Sequence, residues 1–417
     1  MTTKPIFATP TRRILVLLFW VLSVPGNVGA NTARLGSDSS GSGAEFGYST
    51  AMDGLRLAIG SPGEAAQSGA VYTYVCDAGR CLEPSRLVAG DVGSGDLFGN
   101  AVALSVDTLA IAAPGQQPGA VYVFTRSGST WVQQARIIAP DGTLSAGFGR
   151  SLAVQGDRLL VGADNAIAGI GAAYVYNRSG ASWAFQARLA ANDGLAGDRF
   201  GSSVALSGDS VLIGAPFRPG VGAASHAQGA AYVFVHTLGN WSQQARLTAA
   251  AGANGDNFAA ALALEGDRAL IGAPLAGVGV GRAYVFERAG AAWTAQAQLS
   301  SNNSALGDRF GWSVALDGDD VVVGAPFALA TCGASYRFRR NGAAWTTLGR
   351  SSVAVPLGGN LAGWSVAADG GRFLVGAPGF AGAAEHFGAG YWFDPIEQIF
   401  ADGVDDNAGI ECVLPAA

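Results

Sequence analysis

Apolar residues in this chain come in short runs that end at glycine, aspartate, asparagine or proline. Runs of this length, rich in valine, leucine and aromatics, predict strands rather than helices. The runs also recur in a fixed order. Phe-Gly opens a unit at Phe46, Phe98, Phe148, Phe200 and Phe310, and is varied to Phe258-Ala259 and Ala362-Gly363. Fourteen residues later, in all seven units, comes Gly-Ala-Pro or a near variant, beginning at Gly60, Ala112, Gly162, Gly214, Gly272, Gly324 and Gly376. Successive units are 52, 50, 52, 58, 52 and 52 residues apart.

Two further registers keep step with the first two. An aromatic pair at i, i+2 appears as Tyr72/Tyr74, Tyr122/Phe124, Tyr174/Tyr176, Tyr232/Phe234, Tyr284/Phe286, Tyr336/Phe338 and Tyr391/Phe393. Nine residues past the first aromatic stands Trp131, Trp183, Trp241, Trp293 or Trp345, with Cys81 in the first copy and Phe400 in the last. Each unit therefore reads as four strands: Phe-Gly-x-Ser-Val-Ala-Leu, the run into Gly-Ala-Pro, Ala-Tyr-Val-Phe, and Trp-x-x-Gln-Ala-Arg-Leu. Four-stranded units repeated at this length are propeller blades. The expected fold is all-β: a seven-bladed β-propeller of antiparallel blades over residues 31–400.

The chain ends predict how the ring closes. Arg or Gln stands twelve residues before each Phe-Gly position, at Arg34, Arg86, Arg136, Arg188, Arg246, Gln298 and Arg350. Arg34 precedes any complete blade, and no Arg-Leu follows Phe400; Asp405 is there instead. Residues 31–36 are thus expected to supply the outermost strand of the last blade and clasp the ring. The arginines alternate with apolar positions and read as a charged guard on the outer edge.

Composition narrows the use of this scaffold. Only 13% of residues are charged and the net charge is −6, with no basic block. That excludes the Lys/Arg footprint of a nucleic-acid binder. Arg12 and Arg13, the apolar run over residues 14–24 and Val28-Gly29-Ala30 form a secretory signal, expected to be removed from residues 1–30. The run is too short to span a bilayer, and no later segment qualifies. Secretion, to the extracellular space, periplasm or cell surface, fits four cysteines. Cys76 and Cys81 flank a turn and are expected to bond; Cys332 and Cys412 remain as a second pair that would tie residues 401–417 to the body.

The paired Phe-Gly and Gly-Ala-Pro motifs resemble FG-GAP repeats, the units of the integrin α-subunit propeller. The resemblance covers residues 32–400 and implies an extracellular binding role. In that family several blades carry a calcium loop, Asp-x-Asp-x-Asp-Gly, between the first two strands. The matching segments here, such as Gln155-Gly156-Asp157 and Asp317-Gly318-Asp319, are plain turns with too few carboxylates for Ca²⁺. No metal or cofactor is expected. Ile399-Phe400-Ala401-Asp402-Gly403 is similar to a C-terminal signature of secreted bacterial proteins.

Catalytic chemistry is sparse. There are three histidines, His226, His236 and His386, and no phosphate loop or nucleophile elbow. The positions after Phe-Gly are Tyr48, Asn100, Arg150, Ser202, Ala260, Trp312 and Trp364, from which no paired acid and base can be built. The loops after Gly-Ala-Pro vary most, and they share a rim with the blade-to-blade connections. Copy four inserts residues 217–229, with Arg218 and His226; copy seven carries Phe380, Glu385 and His386. Function on a repeat scaffold concentrates on such loops, so these five are the candidate binding residues. Asp91, Asp96, Asp193, Asp198, Asp256 and Asp308 give the connections an acidic pattern that reads as turn capping. The expected function is a monomeric, non-enzymatic binding or adhesion module for a protein or glycan ligand. The alternatives are a hydrolase or lyase on the same rim, and a purely structural surface protein.

Overall fold

The computed structural model describes residues 31–36, 43–77, 80–82, 84–142, 147–220, 227–351, 359–379 and 388–394. They form seven sheets, each an antiparallel meander. The third blade is typical: Phe148–Gln155, Arg158–Ala163, Ala172–Ser179 and Ser182–Leu189 run from the axis outward. In the first blade the outermost strand is split into Arg80–Cys81 and Ser85–Leu87, both on Ala70–Asp77.

The last blade takes its fourth strand from the other end of the chain. Asn31–Leu35 pairs antiparallel with Ala389–Asp394, setting Leu35 opposite Gly390 and Ala33 opposite Trp392. The clasp expected from the missing Arg-Leu is present.

Aromatic and small positions alternate because each blade is buried on both faces. Phe148, Tyr174 and Tyr176 of the third blade pack on Ala110, Val121 and Val123 of the second. The Phe148 ring lies 5.5 Å from Tyr174 and 6.3 Å from Tyr176, edge to face. At the seam Phe46, Tyr72 and Tyr74 pack on Leu374 and Trp392 in the same way. Each Phe of Phe-Gly is fully buried, worth about 1.5–3 kcal/mol in apolar transfer.

Backbone and serine bonds stitch neighbouring blades near the axis. Gly69 forms a parallel bridge with Phe98, repeated as Gly171 with Phe200 and, across the seam, Gly388 with Phe46. Gly69 sits at φ +83° with the Phe98 carbonyl where a Cβ would stand, so only glycine fits. Ser49 Oγ donates to Gly99 O at 2.7 Å, Ser203 to Ala259 O at 2.8 Å, and Ser365 to Gly47 O at 2.9 Å. These bonds account for the serine of Phe-Gly-x-Ser.

One rim of the ring is made of the turns between first and second strands. There each blade's turn donates a backbone N–H to the preceding blade's side chain: Val106 to Asp53, Gly156 to Ser105, Gly208 to Gln155, Gly266 to Ser207, Gly318 to Glu265, and Gly371 to Asp317. Gly54 donates to Asp369 and completes the circle. In the turns that align with calcium loops, Asp53, Glu265, Asp317 and Asp369 thus serve as backbone acceptors, and Asp157, Asp209, Asp267 and Asp319 pair with arginines. Among the described residues no group of three or more His, Cys, Asp or Glu is placed to hold a metal.

The Cys76–Cys81 disulfide forms. Cys332 is also disulfide-bonded; its expected partner, Cys412, lies outside the described residues, as do the signal segment and the C-terminal tail. No helix among the described residues is long and apolar enough to cross a membrane.

Candidate binding face at the channel mouth

The opposite rim carries the loops between second and third strands, the blade-to-blade connections and the Phe-Gly turns. Its acidic pattern is largely internal. Asp198 Oδ2 accepts the Leu195 N–H at 2.8 Å, and Asp256 and Asp308 accept equivalent N–H groups at 2.8 and 2.7 Å. All three are buried, so the turn-capping reading holds for them.

Four of the outer-strand arginines, Arg86, Arg136, Arg188 and Arg246, are ion-paired. Arg86 meets the buried Glu64 at 2.7 Å, and Tyr72 donates to the same carboxylate. Arg188 faces Asp141, which accepts from Tyr174 at 2.5 Å, and Arg246 faces Asp193, which accepts from Tyr232 at 2.9 Å. Burial, reinforced by the bonded carboxylate, pushes the Tyr174 and Tyr232 phenols well above their ordinary range. An Arg–carboxylate–Tyr triad therefore locks the third and fourth strands to a rim loop, a role that edge guarding did not anticipate.

Among the candidate binding residues, Arg218 is described. It donates to the Asp193 carbonyl and to Asp198 Oδ2 at 2.7 Å, and its side chain is 11% exposed. It ties the copy-four loop to the connection before it. His226, Phe380, Glu385 and His386 lie outside the described residues.

A feature that sequence reasoning passed over stands at the axis. The residue before Phe adopts the left-handed region in blade after blade: Glu45 (φ 57°), Leu97 (59°), Arg199 (56°), Asn257 (53°), Arg309 (57°) and Leu361 (59°). Non-glycine residues are held there only when the surroundings over-determine them. Two residues after Phe, the side chains form an uneven ring. Blades six, seven and one contribute Trp312, Trp364 and Tyr48, all partly exposed. Trp312 and Trp364 are 4.8 Å apart and tilted 48°; Trp364 and Tyr48 are 5.6 Å apart and tilted 47°. Phe327 joins them 5.7 Å from Trp312. The Arg309 guanidinium lies 4.4 Å from the Phe327 centroid and 5.5 Å from that of Trp312, within cation–π range. It makes no ion pair with any described residue.

Across the mouth the chemistry is polar. Asp164 replaces the proline of Gly-Ala-Pro and is 8% exposed. Arg150 and Arg199 each come within 3.9 Å of it, and Arg199 also lies 5.1 Å over Phe217. Burial raises the Asp164 carboxyl, with the two arginines and Ser202 pulling the other way. Periodicity could have revealed the aromatic arc, since Trp312 and Trp364 are one unit apart. Tyr48 joins them only because the ring closes.

Five segments match the FG-GAP repeat family: residues 82–124, 131–176, 183–234, 241–286 and 293–338. Each of the four later segments starts at an outer-strand Trp and ends in the next blade's aromatic pair, so the sequence unit straddles two blades. Among solved structures, a protein from Lactobacillus plantarum shares the fold at TM-score 0.53 and 15% identity, covering 77% of this chain and 88% of its own. No curated protein matches the chain. With more than half its length in matched copies, the chain belongs to the FG-GAP repeat family.

Proposed function

We propose that this chain is a secreted, non-enzymatic binding module that holds its ligand on the mouth rim. The observation that carries the reading is the arc of Trp312, Trp364 and Tyr48. Large aromatics supply much of the energy at recognition surfaces, and here three lie together and partly exposed at positions where other blades carry Asn, Arg, Ser or Ala. The repeat does not require them, because the ring builds equivalent junctions without them. A catalytic reading has less support. Asp164 is flanked by two arginines rather than by a second acid or a base, whereas acid–base catalysis uses a pair.

The test is adhesion of the purified mature chain to extracellular proteins and glycans. The double variant Trp312→Ala/Trp364→Ala should bind none of the ligands that the wild type retains, while keeping its circular dichroism spectrum. Undiminished binding would remove the mouth as the site. Turnover in a hydrolase and lyase panel that disappears in Asp164→Asn would replace the reading with an enzymatic one. Secretion is checked by fractionation: a chain without residues 1–30 should stay in the cell.

A further inference from the structure

We infer that the mouth arc takes an acidic carbohydrate, a glycan chain bearing carboxylate groups such as uronates, stacked on Trp312, Trp364 and Tyr48 with a carboxylate on Arg309. The inference rests on the mouth being the ligand face and names the ligand class.

The ring geometry is the first support. Successive rings are tilted by 48° and 47° and follow the curve of three blades. They form no parallel slot that would sandwich a flat base. Nor do they frame an apolar pocket for a peptide anchor, because the rings already touch one another and Phe327. What remains is a series of partly exposed ring faces, each negatively polarised. Such a surface suits the weakly positive C–H faces of pyranose rings, which can turn from one unit to the next while their hydroxyls stay in water.

Charge is the second support. The Arg309 guanidinium lies over Phe327 and Trp312, so its position beside the arc is set before any ligand arrives. Its guanidinium N–H groups have no acceptor among the described residues. A planar guanidinium held in this way is a preorganised fork for a carboxylate. Arg150 and Arg199 share the single carboxylate of Asp164, so this trio carries one net positive charge. The chain as a whole carries −6, so this cationic spot runs against the global balance.

The experiment is isothermal titration of the mature chain with oligogalacturonate, alginate oligomers and hyaluronan oligomers, alongside methyl-esterified oligogalacturonate. The ester keeps the sugar and removes the charge. At least one acidic oligomer should bind. If it is oligogalacturonate, the ester should bind roughly tenfold more weakly, the loss of one charge-assisted contact. Arg309→Gln should weaken the acidic ligand to the level of the ester and leave the ester unchanged. Trp364→Ala should abolish binding of both, with Trp364→Phe restoring part of it, and unchanged melting would show that the ring is intact. Equal affinity for acid and ester would overturn the acidic assignment. No binding of any oligomer, together with Trp364-dependent capture of a protein or peptide ligand, would overturn the glycan inference and leave the binding face standing. Glycan binding that survives Trp364→Ala and Trp312→Ala would overturn both.

Discussion

At the turn rim, four kinds of side chain make the same bond. Asp, Ser, Gln and Glu, at the end of one blade's first strand, each accept a backbone N–H from the next blade's turn, seven times around the ring. At the mouth rim, the seven positions after Phe-Gly hold Tyr, Asn, Arg, Ser, Ala and Trp; each backbone N–H closes the same turn onto the carbonyl three residues before, but the side chains share no common bond. One rim varies its side chains and keeps their bond; the other keeps only a backbone turn and leaves its side chains without a shared role. The ring uses the side chains of the first rim for closure and leaves those of the second free to vary. The same contrast explains why the axis serines and bridging glycines belong with the turn rim in purpose, although they lie nearer the mouth.

The largest disturbance should come from opening both rims together. A chain beginning at residue 37 lacks the clasp, which exposes the edge of Ala389–Asp394 and uncovers the Leu35 site beside Trp392. Its Tm should fall by on the order of 10 °C or more, and mouth binding should fall with it. A clasp peptide of residues 31–36 added in trans should recover part of the loss. A melting curve that matches the wild type would refute closure by this strand.

Next in size is the charge buried at the sixth junction. Where blades two to five carry valine in the third strand, Arg337 is 2% exposed and pairs with Asp320 at 3.0 Å, and Arg339 takes the same carboxylate. Asp320→Ala should cost about 3–5 kcal/mol in urea unfolding, because it strands a buried cation. Arg337→Val, which adopts the residue of blades two to five, should cost far less. Equal losses would mean that the pair, rather than its burial, matters.

The architecture was legible because the repeat registers are backbone requirements. Phe-Gly, Gly-Ala-Pro and the aromatic pair mark where blades touch, and a missing fourth strand at one end with a spare at the other implies the clasp. The turn Asp residues were legible for a similar reason, since an Asx cap is local in sequence. The mouth was not. Tyr48 and Trp364 are 5.6 Å apart yet stand near opposite ends of the chain, and only the closed ring joins them. The left-handed turns at Glu45, Arg199 and Arg309 carry no glycine to announce them. Arg218 illustrates the converse: an insertion arginine reads as a contact residue until Asp193 and Asp198 are seen to hold it.

A smaller test separates the turn rim from the calcium loops of the resembling family. Asp53→Ala or Glu265→Ala removes one acceptor and should cost about 1 kcal/mol without changing ligand affinity. A chelator should leave the Tm of the wild type where it was, because these carboxylates accept N–H groups. A chelator-dependent melt would assign the turns to metal after all.

The smallest effect should reverse the sign. Burial raises the Asp164 carboxyl above its ordinary value of 3.8, so the folded state binds the proton more tightly than the unfolded state does. Ionised Asp164 therefore opposes folding at pH 7. The penalty is fully present above the raised folded value and fades as pH falls through it toward 3.8. Asp164→Asn should accordingly melt slightly higher than wild type at pH 7, and the gap should close in acid. Losing a carboxylate would then weaken the turn rim and strengthen the mouth rim. If Asp164→Asn instead melts lower at pH 7, the two arginines need that charge for stability, and the mouth is as structural as the rim opposite.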